Sequence, residues 1–125
     1  MTNNPLAIAQ MTVRIGGSLL LLLGLVVWTG NADAFVSIHM LLGIVVVGAF
    51  WAVAYMAYQA GVKFSIVGLA TIWGIVTALL GLAQQKIVLN GGHWVVQVLH
   101  LAVGLGLIGI AEVVGAQIKR QRVAV

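Results

Sequence analysis

A chain of 125 residues that is 62% hydrophobic and only 6% charged cannot hide its apolar side chains inside a water-soluble domain, so its solvent is lipid. The absence of cysteine rules out disulfides, iron–sulfur clusters and thioether-linked haem. The net charge of +4 comes from six Lys and Arg residues near helix ends, with no aromatic-interleaved basic stripe, which excludes a nucleic-acid surface and points to topology signals and anionic headgroups.

A helical crossing needs about 20 apolar residues. The first such run covers about 7–29, with Pro5 behind the polar Asn3 and Asn4 as a first-turn proline and Arg14 able to snorkel from near the inner end. This run, with the leucines 19–23 and Ala32-Asp33-Ala34 beyond it, has the make-up of a signal peptide. Its glycines match those of the third run, which argues for a retained span. The second run covers about 35–59, the third 64–88 and the fourth 93–117, joined by short connections at Gly30 to Ala34, Gly61 to Lys63 and Asn90 to Gly92. Short loops force antiparallel neighbours. The expected fold is therefore all-α, one domain over 1–125, a transmembrane up-down-up-down four-helix bundle of two tandem hairpins at about 7–59 and 64–117.

Orientation follows from the basic residues. Arg14, Lys63, Lys119, Arg120 and Arg122 fall on one side and Lys86 alone on the other, so both termini are expected in the cytoplasm, as in a bacterial inner-membrane protein. Trp51, Tyr55 and Tyr58 would then mark the inner interface, and Trp28 and Trp94 the outer one.

The two hairpins repeat one pattern. Gly17-x6-Gly24-Leu25 leads to His39-x3-Gly43-x4-Gly48, and Gly74-x6-Gly81-Leu82 leads to His100-x3-Gly104-x4-Gly109. Glycines seven apart share a helix face and let another surface approach the backbone. A lone pair of this kind would mean helix packing only. Here the first and third helices both carry it, while the second and fourth each bring a histidine with glycine one turn later. That combination offers room along two helices and ligands from the other two, as a flat macrocycle requires. Gly43 and Gly104, on the histidine faces, leave space beside each imidazole. Gly48 and Gly109 fall on the opposite faces and are expected to serve helix packing.

Two neutral imidazoles in an apolar slot suit one haem iron, with His39 and His100 as the metal ligands. The alternative for each histidine is a hydrogen bond to a neighbouring helix; two in matched positions favour a cofactor. A bare metal is disfavoured, since the chain has only three His, two acids and no Cys. His93, seven residues before His100, is either a rim residue able to hydrogen-bond a propionate or a solvated helix-start residue; its counterpart in the first half is Ala32. Gln84, Gln85, Gln97 and Lys86 are the polar residues available around the site, as acceptors for an imidazole N–H or a partner for a propionate.

This arrangement of Gly17, Gly24, Gly74 and Gly81 with His39 and His100 resembles the four-helix haem core of cytochrome b in quinol–cytochrome c oxidoreductases. In that family each ligand helix carries two histidines about fourteen residues apart; the second positions here are Val53 and Val114. The resemblance implies a b-type cytochrome with a single haem b in the outer half of the membrane, carrying electrons between a quinol or redox-protein partner and an outer acceptor. It would be an electron carrier more than an enzyme, with quinol oxidation as the enzymatic option, working alone, as a homodimer or within a larger complex.

Glu112 is the only acid inside a span, costly there unless it is protonated or paired with Arg14 or Lys119; it reads as a structural ion pair at the inner interface, or as a proton or quinone-headgroup site. As a titrating group it supports a second reading, a small proton-coupled transporter; a parallel, non-inverted repeat argues against that. A third reading is a cofactor-free accessory subunit whose histidines only pack.

Overall fold

The computed structural model describes residues 4–30, 33–87 and 90–124. They form four helices, α1 (Pro5–Trp28), α2 (Asp33–Gln59), α3 (Phe64–Ala83) and α4 (His93–Val123), and no strand. All four are long and apolar enough to cross a membrane, and the chain is a membrane protein. Ala32, the position matching His93, lies outside the described residues, as does Val88 at the expected end of the third run.

Local chemistry sets the helix ends. The Asn4 side chain accepts the Leu6 N–H at 3.2 Å and Pro5 fills the first turn, so α1 starts as a capped helix. Between α2 and α3, Gly61 takes φ +75° while the Val62 N–H donates to the Ala57 carbonyl at 3.0 Å, a Schellman closure that seats Val62 in the core. Helix α3 stops at Ala83, earlier than the apolar pattern suggests, and Gln84, Gln85 and Lys86 follow as turn residues. Helix α4 runs on to Val123, past the end of its apolar stretch, with Arg120 and Arg122 favourably placed in its last turn.

The helices pack in the order α1, α2, α3, α4 around the bundle. Helices α2 and α4 touch across the middle, whereas α1 and α3 share no contact among the described residues. Lipid gives no hydrophobic drive between apolar helices, so association depends on close fit and on hydrogen bonds between helices. Both occur at glycines. The Trp51 indole lies on Gly74 and donates to the Thr71 carbonyl at 3.3 Å. Trp73 lies on Gly106 and donates to the Val103 carbonyl at 3.0 Å. Gln10 lies on Gly115 and donates to the Ala111 carbonyl at 3.4 Å. Each latch seats a large polar-tipped side chain on a glycine and bonds a carbonyl about one turn earlier on the same helix. Val46 on Gly16 and Ile108 on Gly17 complete the set with apolar knobs.

The fully buried side chains, among them Leu6, Val13, Phe50, Leu107, Val114 and Ile118, fall in the half of the bundle that carries the termini. Towards the other end, where α1 meets α2 and α3 meets α4, buried residues are sparse; Thr77 and Val96 are the described exceptions beyond the level of Gly74. The bundle is tightly knit at one end and open at the other.

Gly48 and Gly109 depart from expectation. A Cβ at either position meets no atom within 4 Å, so no helix of the bundle packs on them. Trp51 likewise serves as a latch between α2 and α3, where an interfacial marker was expected. Gly74→Leu should therefore lower resistance to unfolding in detergent by about 1–3 kcal/mol, because the Trp51 indole already occupies the space. Gly48→Leu should leave stability within about 0.5 kcal/mol of the parent, and equal losses in the two variants would refute the latch assignment.

Candidate functional site

The open end holds both predicted ligands at matched depth. His39 lies six residues into α2 and His100 seven into α4, about 9 and 10 Å along their helices from the end where the hairpins turn. The two imidazoles face one another across the bundle, with ring centroids 6.2 Å apart and planes inclined by 57°.

Each imidazole rests on a glycine of its own hairpin. A Cβ on Gly24 would lie 3.4 Å from His39 Cε1 and 3.9 Å from its Nδ1. A Cβ on Gly81 would lie 3.2 Å from His100 Cε1 and 3.9 Å from its Nδ1. The same edge of both rings thus turns towards the flanking helix, a symmetry that the repeat dictates. Gly43 and Gly104, one turn further along the histidine helices, have open space where a Cβ would stand.

The other two predicted glycines have different work. Gly17 is filled by Ile108 and Gly74 by Trp51, so neither lines the gap between the histidines. The reason is depth. Seven residues place Gly17 and Gly74 about 10 Å below Gly24 and Gly81, inside the tightly packed half. The upper glycine of each pair seats a histidine from its own hairpin, whereas the lower one receives a knob from the other hairpin.

The Nδ1 atoms of His39 and His100 are enclosed and have no hydrogen-bond partner among the described residues. Enclosed polar nitrogens without partners are rare, and each costs about 1–3 kcal/mol. No glutamine side chain caps them, so Gln84, Gln85 and Gln97 do not act as acceptors there. Among the described residues no three His, Asp or Glu side chains converge, so a bare ion would find two protein ligands at most. Haem differs because it brings four nitrogens of its own.

His93 is engaged elsewhere. Its Nδ1–H donates to the Ile87 carbonyl at 3.0 Å, which ties the start of α4 to the connection leaving α3. Glu112 lies far from both ligands, near the tightly packed end, where its carboxylate accepts from Arg14 Nε and a terminal guanidinium nitrogen at 2.5 and 2.8 Å. Arg14, not Lys119, is thus its ion-pair partner. The glycines Gly16, Gly106 and Gly115, which hold the bundle together, stand outside the seven-residue repeat; the adjacent Gly16-Gly17 pair was the visible cue to the first.

No protein-family model matches the chain, and neither a curated protein nor a solved structure matches it.

The unpartnered nitrogens make a direct stability test. In protein free of any cofactor, His39→Leu with His100→Leu should raise unfolding stability by about 1 kcal/mol or more, as the uncompensated polar atoms are removed. A loss of stability in that double variant would show that the imidazoles are satisfied structural residues.

Proposed function

We propose that this protein is a membrane b-type cytochrome that holds one haem b between His39 and His100 and transfers electrons in the outer half of the bilayer. The observation that carries this reading is the facing pair of imidazoles, each seated on a glycine and each with an unsatisfied enclosed nitrogen.

The spacing fits the group. An imidazole nitrogen lies about 2.0 Å from a bound transition metal and its ring centre about 1.1 Å further, so two rings on one iron stand about 6.2 Å apart. The observed separation is 6.2 Å. The sparse packing around the histidines and the open positions at Gly43 and Gly104 favour a flat, bulky occupant at this end.

The chain's own contribution is placement and exclusion. Helices α2 and α4 fix the imidazoles at one depth, Gly24 and Gly81 allow them to lie close to the flanking backbones, and the surrounding apolar helices keep bulk water from the site. Haem held by His39 and His100 would supply one-electron transfer. The absence of a second histidine pair, with Val53 and Val114 at the matching positions, limits this chain to one centre and so to exchange near one membrane face. Five of the six basic residues lie on the side of the termini, which supports a cytoplasmic location for both ends in a bacterial inner membrane. The donor is a quinol or a redox protein.

Protein purified after expression with ample haem should show a Soret band and sharp visible bands on reduction. His39→Ala and His100→Ala should each abolish the six-coordinate spectrum, while His93→Ala should keep it, because His93 is tied to Ile87. Colourless parent protein would overturn the proposal, and an unchanged spectrum in either ligand variant would remove that histidine from the iron.

A further inference from the structure

The Arg14–Glu112 pair is out of place on a single bundle. Arg14 stands nine residues into α1, about 13 Å along it, and Glu112 seven residues, about 10 Å, before Lys119 at the basic end of α4. Both therefore lie within the apolar spans. Yet the two side chains are 54% and 39% exposed, on the outer face where α1 meets α4.

We propose that this α1/α4 face binds a second copy of the chain, with the two Arg14–Glu112 pairs meeting across a two-fold axis. The chemistry of the pair selects the occupant. Guanidinium has five N–H donors, and the contact to Glu112 uses two of its nitrogens. The carboxylate likewise keeps lone pairs beyond those accepting from Arg14. Hydrocarbon satisfies neither, and leaving such groups bare in lipid is costly. An anionic headgroup would answer the arginine but would repel the glutamate. The same pair, inverted by a two-fold axis, offers acceptors to the free donors and donors to the free lone pairs, and it closes as a neutral quartet.

The surface beside the pair suits close approach. Gly109 and Ala116, seven residues apart on the exposed side of α4, flank Glu112, and Ala7 and Ser18 flank Arg14 on the exposed side of α1. Small residues in register let helix backbones come together in lipid. Gly109 is informative because a Cβ there meets nothing within 4 Å, so the single bundle makes no use of its missing side chain. The histidine site lies at the other end, so this interface does not depend on cofactor binding.

The chain contains no cysteine, so one introduced thiol reports on one position. In full-length protein reconstituted into phospholipid vesicles, oxidation of Gly109→Cys should give a covalent dimer, while Leu79→Cys, exposed on α3, should not. Energy transfer between donor- and acceptor-labelled chains, followed as lipid dilutes the protein, should show dimers. Gly109→Ile, and separately Arg14→Gln with Glu112→Gln, should each raise the midpoint of dissociation at least tenfold. Exchanging the charges, Arg14→Glu with Glu112→Arg, should restore association. Equal cross-linking at Gly109→Cys and Leu79→Cys, monomeric parent protein in vesicles, assemblies larger than two, or an undiminished dimer in Gly109→Ile would each overturn the proposal.

Discussion

Close seating on glycine governs this molecule, because apolar helices in lipid gain nothing from burying one more leucine. What holds two such helices is van der Waals contact at short range and any polar bond that forms between them. Trp51 on Gly74, Trp73 on Gly106 and Gln10 on Gly115 supply both at once. The latches link α2 to α3, α3 to α4 and α1 to α4, while Val46 on Gly16 links α1 to α2, so each adjacent pair of helices has one. All of them sit in the half that carries the termini or near the middle. The far end is released from packing duty and can hold something else.

That division explains why one sequence motif has two physical outcomes. Gly24 and Gly81 lie at the open end and receive imidazoles from their own hairpins; Gly17 and Gly74 lie about two turns deeper and receive Ile108 and Trp51 from the opposite hairpin. The halves have also diverged in detail. Gly16 and Trp73 occupy equivalent repeat positions, yet the first is a socket for Val46 and the second is the knob that fills Gly106. A contact across the hairpin is kept in both halves while the large and small partners have changed sides. The histidines have kept their type, their depth and the edge they turn towards glycine.

The site holds unsatisfied chemistry in the least-packed region of the bundle. Two enclosed nitrogens without partners weaken a protein, and stability given up in this way is typical of a binding centre. The Arg14–Glu112 pair expresses the same logic at the other end, where charges satisfied only in part lie on a face open to lipid. In both places the isolated chain displays more polar capacity than it consumes.

The membrane environment, the four helices, their pairing into hairpins and the two histidines as the residues of interest were all readable from the amino-acid order alone. These depend on composition, run length and repeat spacing, which are properties of the chain read in one dimension. For Glu112 that order left three states open, paired with Arg14, paired with Lys119, or protonated. Packing in three dimensions selected Arg14, tied His93 to Ile87, and left Gly48 and Gly109 facing no helix of the bundle. Helix ends were legible to within a few residues except where α3 ends early at Ala83 and α4 runs on to Val123. The division has a physical cause. Periodicity states which residues share a face, but the rotation of each helix about its axis decides what that face meets, and in lipid that rotation is set by which knob finds which glycine.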